Sequence, residues 1–192
     1  MPQGNILLDD LPRAVNICGT EYAIDTDFRT AIRFTLLMQD GRIDEWAKID
    51  IVLYMFFGDV RIPDVQQAID ALMWFYRCGK TEANAGHGGR RSKQVYDFDH
   101  DADLIYAAFL DQYGIDLQAI SLHWWTFRAL FIGLSEDTEL MKVISYRSIE
   151  ITNDMSSEQK KRYRKLKEMY SLPDKRTEEE KERDFALSLA GL

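Results

Sequence analysis

Apolar residues recur along this chain at steps of three and four, the period of one face of an α-helix. The longest such stripe runs through Phe98, Ala102, Ile105, Phe109 and Tyr113, and a second through Ile120, Trp124, Phe127, Phe131 and Leu134. Trp125, Ala129, Leu130 and Ile132 widen the second stripe past half the circumference. A helix that apolar belongs at the centre of a bundle or in an interface. Asp97 and Asp99 stand where the first of this pair would be N-capped, with Asp101 and Asp103 in its first turn, where acids meet the positive helix end. Gly114 is placed to end that helix, and Asp116 to cap the next.

Upstream, Val15, Ile17, Tyr22 and Ile24 alternate with polar neighbours around Gly19-Thr20, which predicts a small hairpin. A lone hairpin is marginal in water, so it must lie on helices. Thr26 or Asp27 caps a helix over 28–39, with Phe28, Ala31, Ile32, Thr35 and Leu36 on one side. A second helix over 43–57 turns Ile43, Trp46, Ile49, Leu53 and Phe56 or Phe57 inward. Asp64 and Gln67 open a third, carrying Val65, Ala68, Ile69, Leu72, Phe75 and Tyr76 and stopped at Gly79. Beyond the central pair a helix over about 136–147 carries Leu140, Val143 and Ile144. Ser156 and Gln159 form a capping box for a charged helix that Pro173 closes off. Thr177 and Glu180 form another for a short last helix. Residues 80–94 are Gly-rich and basic without an apolar anchor, and read as a mobile surface loop. There is no strand–helix alternation. The fold class is therefore all-α (mainly α): a single helical bundle over 14–172 with a small N-terminal β-hairpin, followed by a charged C-terminal helix or tail over 173–192.

Composition narrows the function classes. An apolar fraction of 46% in 192 residues is enough for a real core. The net charge of −8 argues against general affinity for nucleic acid or an anionic membrane. The longest apolar run, 51–57, is far short of a membrane span. The N-terminus has no basic region followed by an apolar run, so no secretory signal is read there. Cys18 and Cys78 lie far apart with no paired spacing, as free thiols of a reducing cytoplasm would.

No chemical motif is complete. Gly79-Lys80-Thr81 resembles the end of a phosphate-binding loop, but Trp74 holds the place of its first glycine and no strand precedes it. Asp97, Asp99, Asp101 and Asp103 alternate as in a calcium loop, but Ala102 and Ala108 replace the required Gly and Glu. His123 has only Ala119 and Phe127 at helical spacing, so no carboxylate orients it as a base. No metal-ligand set and no cofactor site emerge. The run Lys160, Lys161, Arg162, Arg164, Lys165 and Lys167 is interleaved with Tyr163, Leu166, Met169 and Tyr170. That is a solvated face with one docking stripe, on which the acids Glu178, Glu179, Glu180 and Glu182 could fold back.

Several strings resemble one family. They are Tyr22-x-Ile24-x-Thr26-Asp27-Phe28-Arg29, Tyr96-x-Phe98-x-x-Asp101-Ala102, Ile105-Tyr106-Ala107-Ala108-Phe109, Tyr113-Gly114-Ile115-Asp116-Leu117, Leu122-His123-Trp124-Trp125-x-Phe127 and Tyr146-Arg147. Over about 20–172 the chain resembles the "gene product fifteen" family of phages and prophages of Gram-positive bacteria. The resemblance carries no active-site residues. It implies a non-enzymatic protein of the tail module, made just ahead of the tape-measure protein, in the place of a tail assembly chaperone. Such a protein would hold the tape-measure protein, recruit major tail protein, work in the host cytoplasm and be absent from the mature virion. The alternatives are a minor tail or connector protein, or an enzyme with a site near His123, Asp103 and Arg128.

Three helices, over 43–57, 65–78 and 116–134, are apolar on more than one face, so some apolar area is expected to stay exposed for a partner or for self-association. The residues expected to meet a partner are His123, Trp124, Trp125 and Phe127 on the broad apolar helix, with Lys161 and Arg164 in the basic segment.

Overall fold

The computed structural model describes residues 5–80 and 94–174. The elements are β1 (Ala14–Ile17), β2 (Thr20–Ala23), α1 (Phe28–Gln39), α2 (Glu45–Phe57), α3 (Val65–Tyr76), α4 (Ala102–Tyr113), α5 (Trp124–Ile132), α6 (Glu139–Ser148) and α7 (Ser157–Met169). The class is mainly α, with the hairpin at the N-terminal end as expected. The predicted loop, save Lys80 and Gln94, and the predicted last helix lie outside the described residues.

In the hairpin Ile17 faces Thr20, which leaves Cys18 and Gly19 as a two-residue turn. Their φ angles of 51° and 81° are both positive, as a type I′ turn requires. Glycine adopts this freely, whereas Cys18 does so against its Cβ. The Cys18 amide is held by Gln67 Oε1 at 3.0 Å, and Gln67 Nε2 in turn donates to Asp64, the N-cap of α3. One glutamine thus fastens the hairpin tip to the first turn of α3, and Val15 and Ile17 are buried.

Caps set the other boundaries. Asp27 caps α1 and Asp44 caps α2, so α2 begins two residues later than the apolar pattern implies. Thr138 caps α6, because residues 135–138 form a turn closed by the Thr138 amide on the Ser135 carbonyl. The Ser156–Gln159 capping box of α7 and the left-handed Gly114 that ends α4 are as expected.

Two helix starts differ from the sequence expectation. Asp97 does cap, but it caps a turn: its Oδ1 accepts the amides of Asp99 and His100, and α4 begins only at Ala102. The helix expected from Asp116 begins at Trp124 instead. Asp116 spends its carboxylate on the Gln118 amide, which makes a local turn. Further on, residues 122–124 pair with 26–28: the Phe28 amide donates to the Leu122 carbonyl and the Trp124 amide to the Thr26 carbonyl. Those groups are then committed across the molecule and cannot join a helical ladder. Ile120, expected inward, is exposed.

The core is largely aromatic. The Phe127 ring stacks on Phe28 at 4.7 Å and on Phe109 at 5.0 Å, with Trp124, Phe98 and Phe131 around it. Of the expected centre, Phe98, Ile105, Phe109, Trp124 and Phe127 are buried and Phe131 is partly so. On α2 the buried face is Val52, Phe56 and Phe57, while Trp46, expected inward, is 78% exposed. This helix is apolar nearly all round, so period alone does not fix its rotation. The edge contacts of Phe56 with Phe34 and Phe75 do fix it, and they carry Trp46 outward. Replacing the central ring, Phe127→Ala, is expected to cost about 3–5 kcal/mol. Urea unfolding of the two proteins checks this, and an unchanged midpoint would mean that Phe127 is not the centre of the packing.

Candidate functional site

His123, Trp124 and Trp125 form one unit at the start of α5. The Nδ1 of His123 accepts the Trp125 amide at 3.1 Å, which makes the imidazole the N-cap of the helix. Its Nε2 lies 2.9 Å from the Pro12 carbonyl oxygen, which can only accept, so Nε2 carries the proton and Nδ1 is bare. The indole N–H of Trp124 donates to the Tyr76 carbonyl at 2.8 Å, and that of Trp125 to the Phe75 carbonyl at 2.7 Å. These carbonyls lie in the last turn of α3, and that of Phe75 also accepts the Cys78 amide at 2.9 Å. Three consecutive side chains therefore cap one helix at its start and another at its end.

This placement corrects the expected partner surface. Trp124, Trp125 and Phe127 are buried, and His123 is half-buried with both nitrogens engaged, so these four are packing residues. Lys161 and Arg164 are exposed on α7. The alternative site around His123, Asp103 and Arg128 is not assembled either. Asp103 is an exposed first-turn acid of α4, and Arg128 lines a small cleft with Cys78, Lys80 and Trp125. Burial pushes the Cys78 thiol up to about 11, so it is a poor nucleophile. Among the described residues no group of acidic, His or Cys side chains could hold a metal ion.

Two polar ties that sequence reading missed fix the frame. Arg147 of α6 makes a bidentate pair with Asp101, at 2.6 Å and 2.8 Å, with both side chains buried. Two more of its N–H groups donate to the carbonyls of Val95 and Tyr170. Asp101 also accepts the Asp97 amide. One guanidinium thus joins the entry to α4, the body of α6 and the end of α7. Both residues stood inside family-like strings, but nothing in the sequence paired them across 46 positions. The second tie is Arg29, which donates to the carbonyls of Leu117 and Ile120 and to Asp27. Asp27 also accepts from Ser121. Burial works to raise the Asp27 pKa, but these hydrogen bonds and the Arg29 charge outweigh it and hold it below the ordinary value. Residues 116–122 are laced onto α1 in this way.

What faces outward is an apolar groove of about 330 Å³ between the first three helices. Phe34 and Met38 of α1, Ile49 and Val52 of α2, and Ile69, Leu72 and Met73 of α3 line it, with Glu45 and Lys48 at its rim. Outside the groove lining, Trp46 in the first turn of α2 and Tyr54 further along it are also largely exposed. Sequence reading foresaw exposed apolar area on α2 but placed it wrongly, because it turned Trp46 to the core.

The buried ion pair and the His123 cap give separate predictions. Removing either partner of the buried pair, by Arg147→Ala or Asp101→Ala, strands a charge and should cost about 3–5 kcal/mol, whereas Arg147→Met with Asp101→Leu should recover much of that loss. Chemical denaturation of the three variants checks this, and a double variant as weak as the singles would mean the pair adds net stability. Desolvation pulls the His123 pKa below its ordinary 6.5, against the opposing effect of the Pro12 hydrogen bond, and Arg13 adds to the lowering. The unfolded chain then takes up this proton first, so the contribution is complete above 6.5 and is lost as pH falls from there toward the folded-state value. His123→Asn keeps a cap and does not titrate, so its melting curve should lack that part of the pH slope.

No curated protein and no solved structure matches the chain. The family model described as Bacteriophage Gp15 protein matches residues 7–172, most of the chain, including the capping unit, the buried ion pair and the groove. The chain belongs to the bacteriophage Gp15 family, whose members are structural and morphogenesis proteins of phages.

Proposed function

We propose that the protein is a non-enzymatic tail assembly chaperone that holds helical segments of the phage tape-measure protein. The observation that carries this reading is the open apolar groove between α1, α2 and α3, on a molecule that also leaves Trp46 of α2 exposed. A groove with seven apolar lining residues and charges only at its edge suits an amphipathic helix, whose anchors at i, i+3 or i+4 and i+7 would fill it in turn. Glu45 and Lys48 at the rim would set register and partner choice more than affinity. A groove of this kind does no chemistry, in keeping with a family of structural phage proteins. In this role the protein acts in the host cytoplasm, brings major tail protein to the growing tail and leaves before the particle is complete.

The test is co-expression with fragments of the tape-measure protein. The protein should keep soluble, and co-purify with, fragments that aggregate alone. Trp46→Ser and Met38→Ser should abolish this while shifting stability by no more than about 0.5 kcal/mol, since both side chains face solvent. Capture that survives both substitutions would move the binding surface elsewhere. Failure to hold any fragment, together with recovery of the protein from finished particles, would make it a tail or connector component instead.

A further inference from the structure

Exposed apolar surface is not confined to the groove. On α2 the residues Ala47, Asp50, Ile51 and Tyr54 are exposed, Tyr54 by 63%. Their steps of three and four put them on one face of the helix, and none of them lines the groove. This face is apolar except at Asp50, which forms no ion pair with a described residue. A second patch lies at the end of α5. Ala129 and Ile132 are exposed there and line a small cleft with Ile6, Lys80 and Arg128. Leu7 and Leu8, next to Ile6, are 86% and 82% exposed. They are held there by a built turn. The Asn5 carbonyl accepts the amides of Leu8 and Asp9, Asn5 Oδ1 accepts that of Leu7, and the Asp9 carboxylate accepts that of Asn5. Lys80 and Arg128 form no ion pair with a described residue either.

We propose that these two patches are the two halves of one contact, through which copies of the chain join head to tail, independently of any partner at the groove. Charge favours this occupant. A chain of net charge −8 repels its own copies, so a self-contact has to set cations against acids. The face of α2 offers an acid on apolar ground, and the end of α5 offers two cations on apolar ground. Pairing either patch with itself would set Asp50 against Asp50, or Arg128 against Arg128, and like charges so placed are costly. Nor can the two patches of one chain meet each other. The rings around Phe56 fix α2 in the core, and the indoles of Trp124 and Trp125 fix α5 to α3. A contact between two different patches leaves one of each unused at the ends of a pair. A third copy can then add, and growth stops only where a ring closes.

Sedimentation of the full-length protein over a range of concentrations tests this. The mass should rise past that of a dimer as concentration increases. Asp50→Lys should weaken the association at least about tenfold, and so should Arg128→Glu combined with Lys80→Glu. The first variant carries cations on both patches and the second carries acids on both. Each should therefore stay monomeric where the unaltered protein associates, and an equal mixture of the two should associate again. A protein that is monomeric throughout would overturn the proposal, as would growth that stops at a dimer, because two copies joined symmetrically use one patch twice. Association that survives Asp50→Lys, or a mixture that stays monomeric, would overturn it as well.

Discussion

Two indole N–H groups hold the end of α3 against the start of α5, and much of the N-terminal half of the fold follows from that contact. The Tyr76 carbonyl takes the Trp124 N–H, and the Phe75 carbonyl, which already accepts the Cys78 amide, takes that of Trp125 as well. Trp124 and Trp125 satisfy them while burying two large rings. For both indoles to reach α3, α5 must begin at Trp124, and so residue 123 must be its cap. The backbone on either side of that cap is then free to pair with residues 26–28, which seats α1 beside α5. The hairpin enters the same arrangement, because Gln67 anchors its turn to the other end of α3.

The buried Arg147–Asp101 pair does the corresponding work in the other half, by different physics. A dehydrated ion pair contributes little net stability, because the desolvation of both charges offsets their attraction. What it contributes is position. A guanidinium that must satisfy Asp101, Val95 and Tyr170 together admits one arrangement of α4, α6 and α7. Greasy contacts alone would let α6 slide along its neighbours, and α7, with no buried residue of its own, would have almost nothing to fix it.

The helices and most of their caps were legible in the sequence because both signals are local. Asp27, Ser156 with Gln159, and Gly114 act on the turn beside them, and each is found where its residue type implies. The failures share a cause. Asp101 reads as an ordinary first-turn acid until Arg147 is brought next to it. Asp116 reads as a cap until the backbone of 122–124 is claimed by 26–28. His123 beside two tryptophans reads as an interface because period shows that residues share a face, not whether that face looks inward. Trp46 was misassigned for the same reason: a helix apolar on most sides has several admissible rotations, and only the rings of Phe34 and Phe75 choose between them. The family-like strings were the one signal that carried long-range information, since His123, the tryptophans, Asp101 and Arg147 all lie in them.

That choice of rotation bears on function. Had Trp46 turned inward, its ring would be part of the core and out of a partner's reach. Phe56 takes the central place instead, with an edge contact to each neighbour, and the first turn of α2 projects with its indole in water. An exposed tryptophan gives up burial free energy on the order of 2–3 kcal/mol in the isolated chain. A partner helix that covers it regains that amount at a surface already shaped by rigid elements, with little ordering cost on this side of the contact. The same packing that stabilises the core therefore leaves its largest unburied ring where a helix can use it.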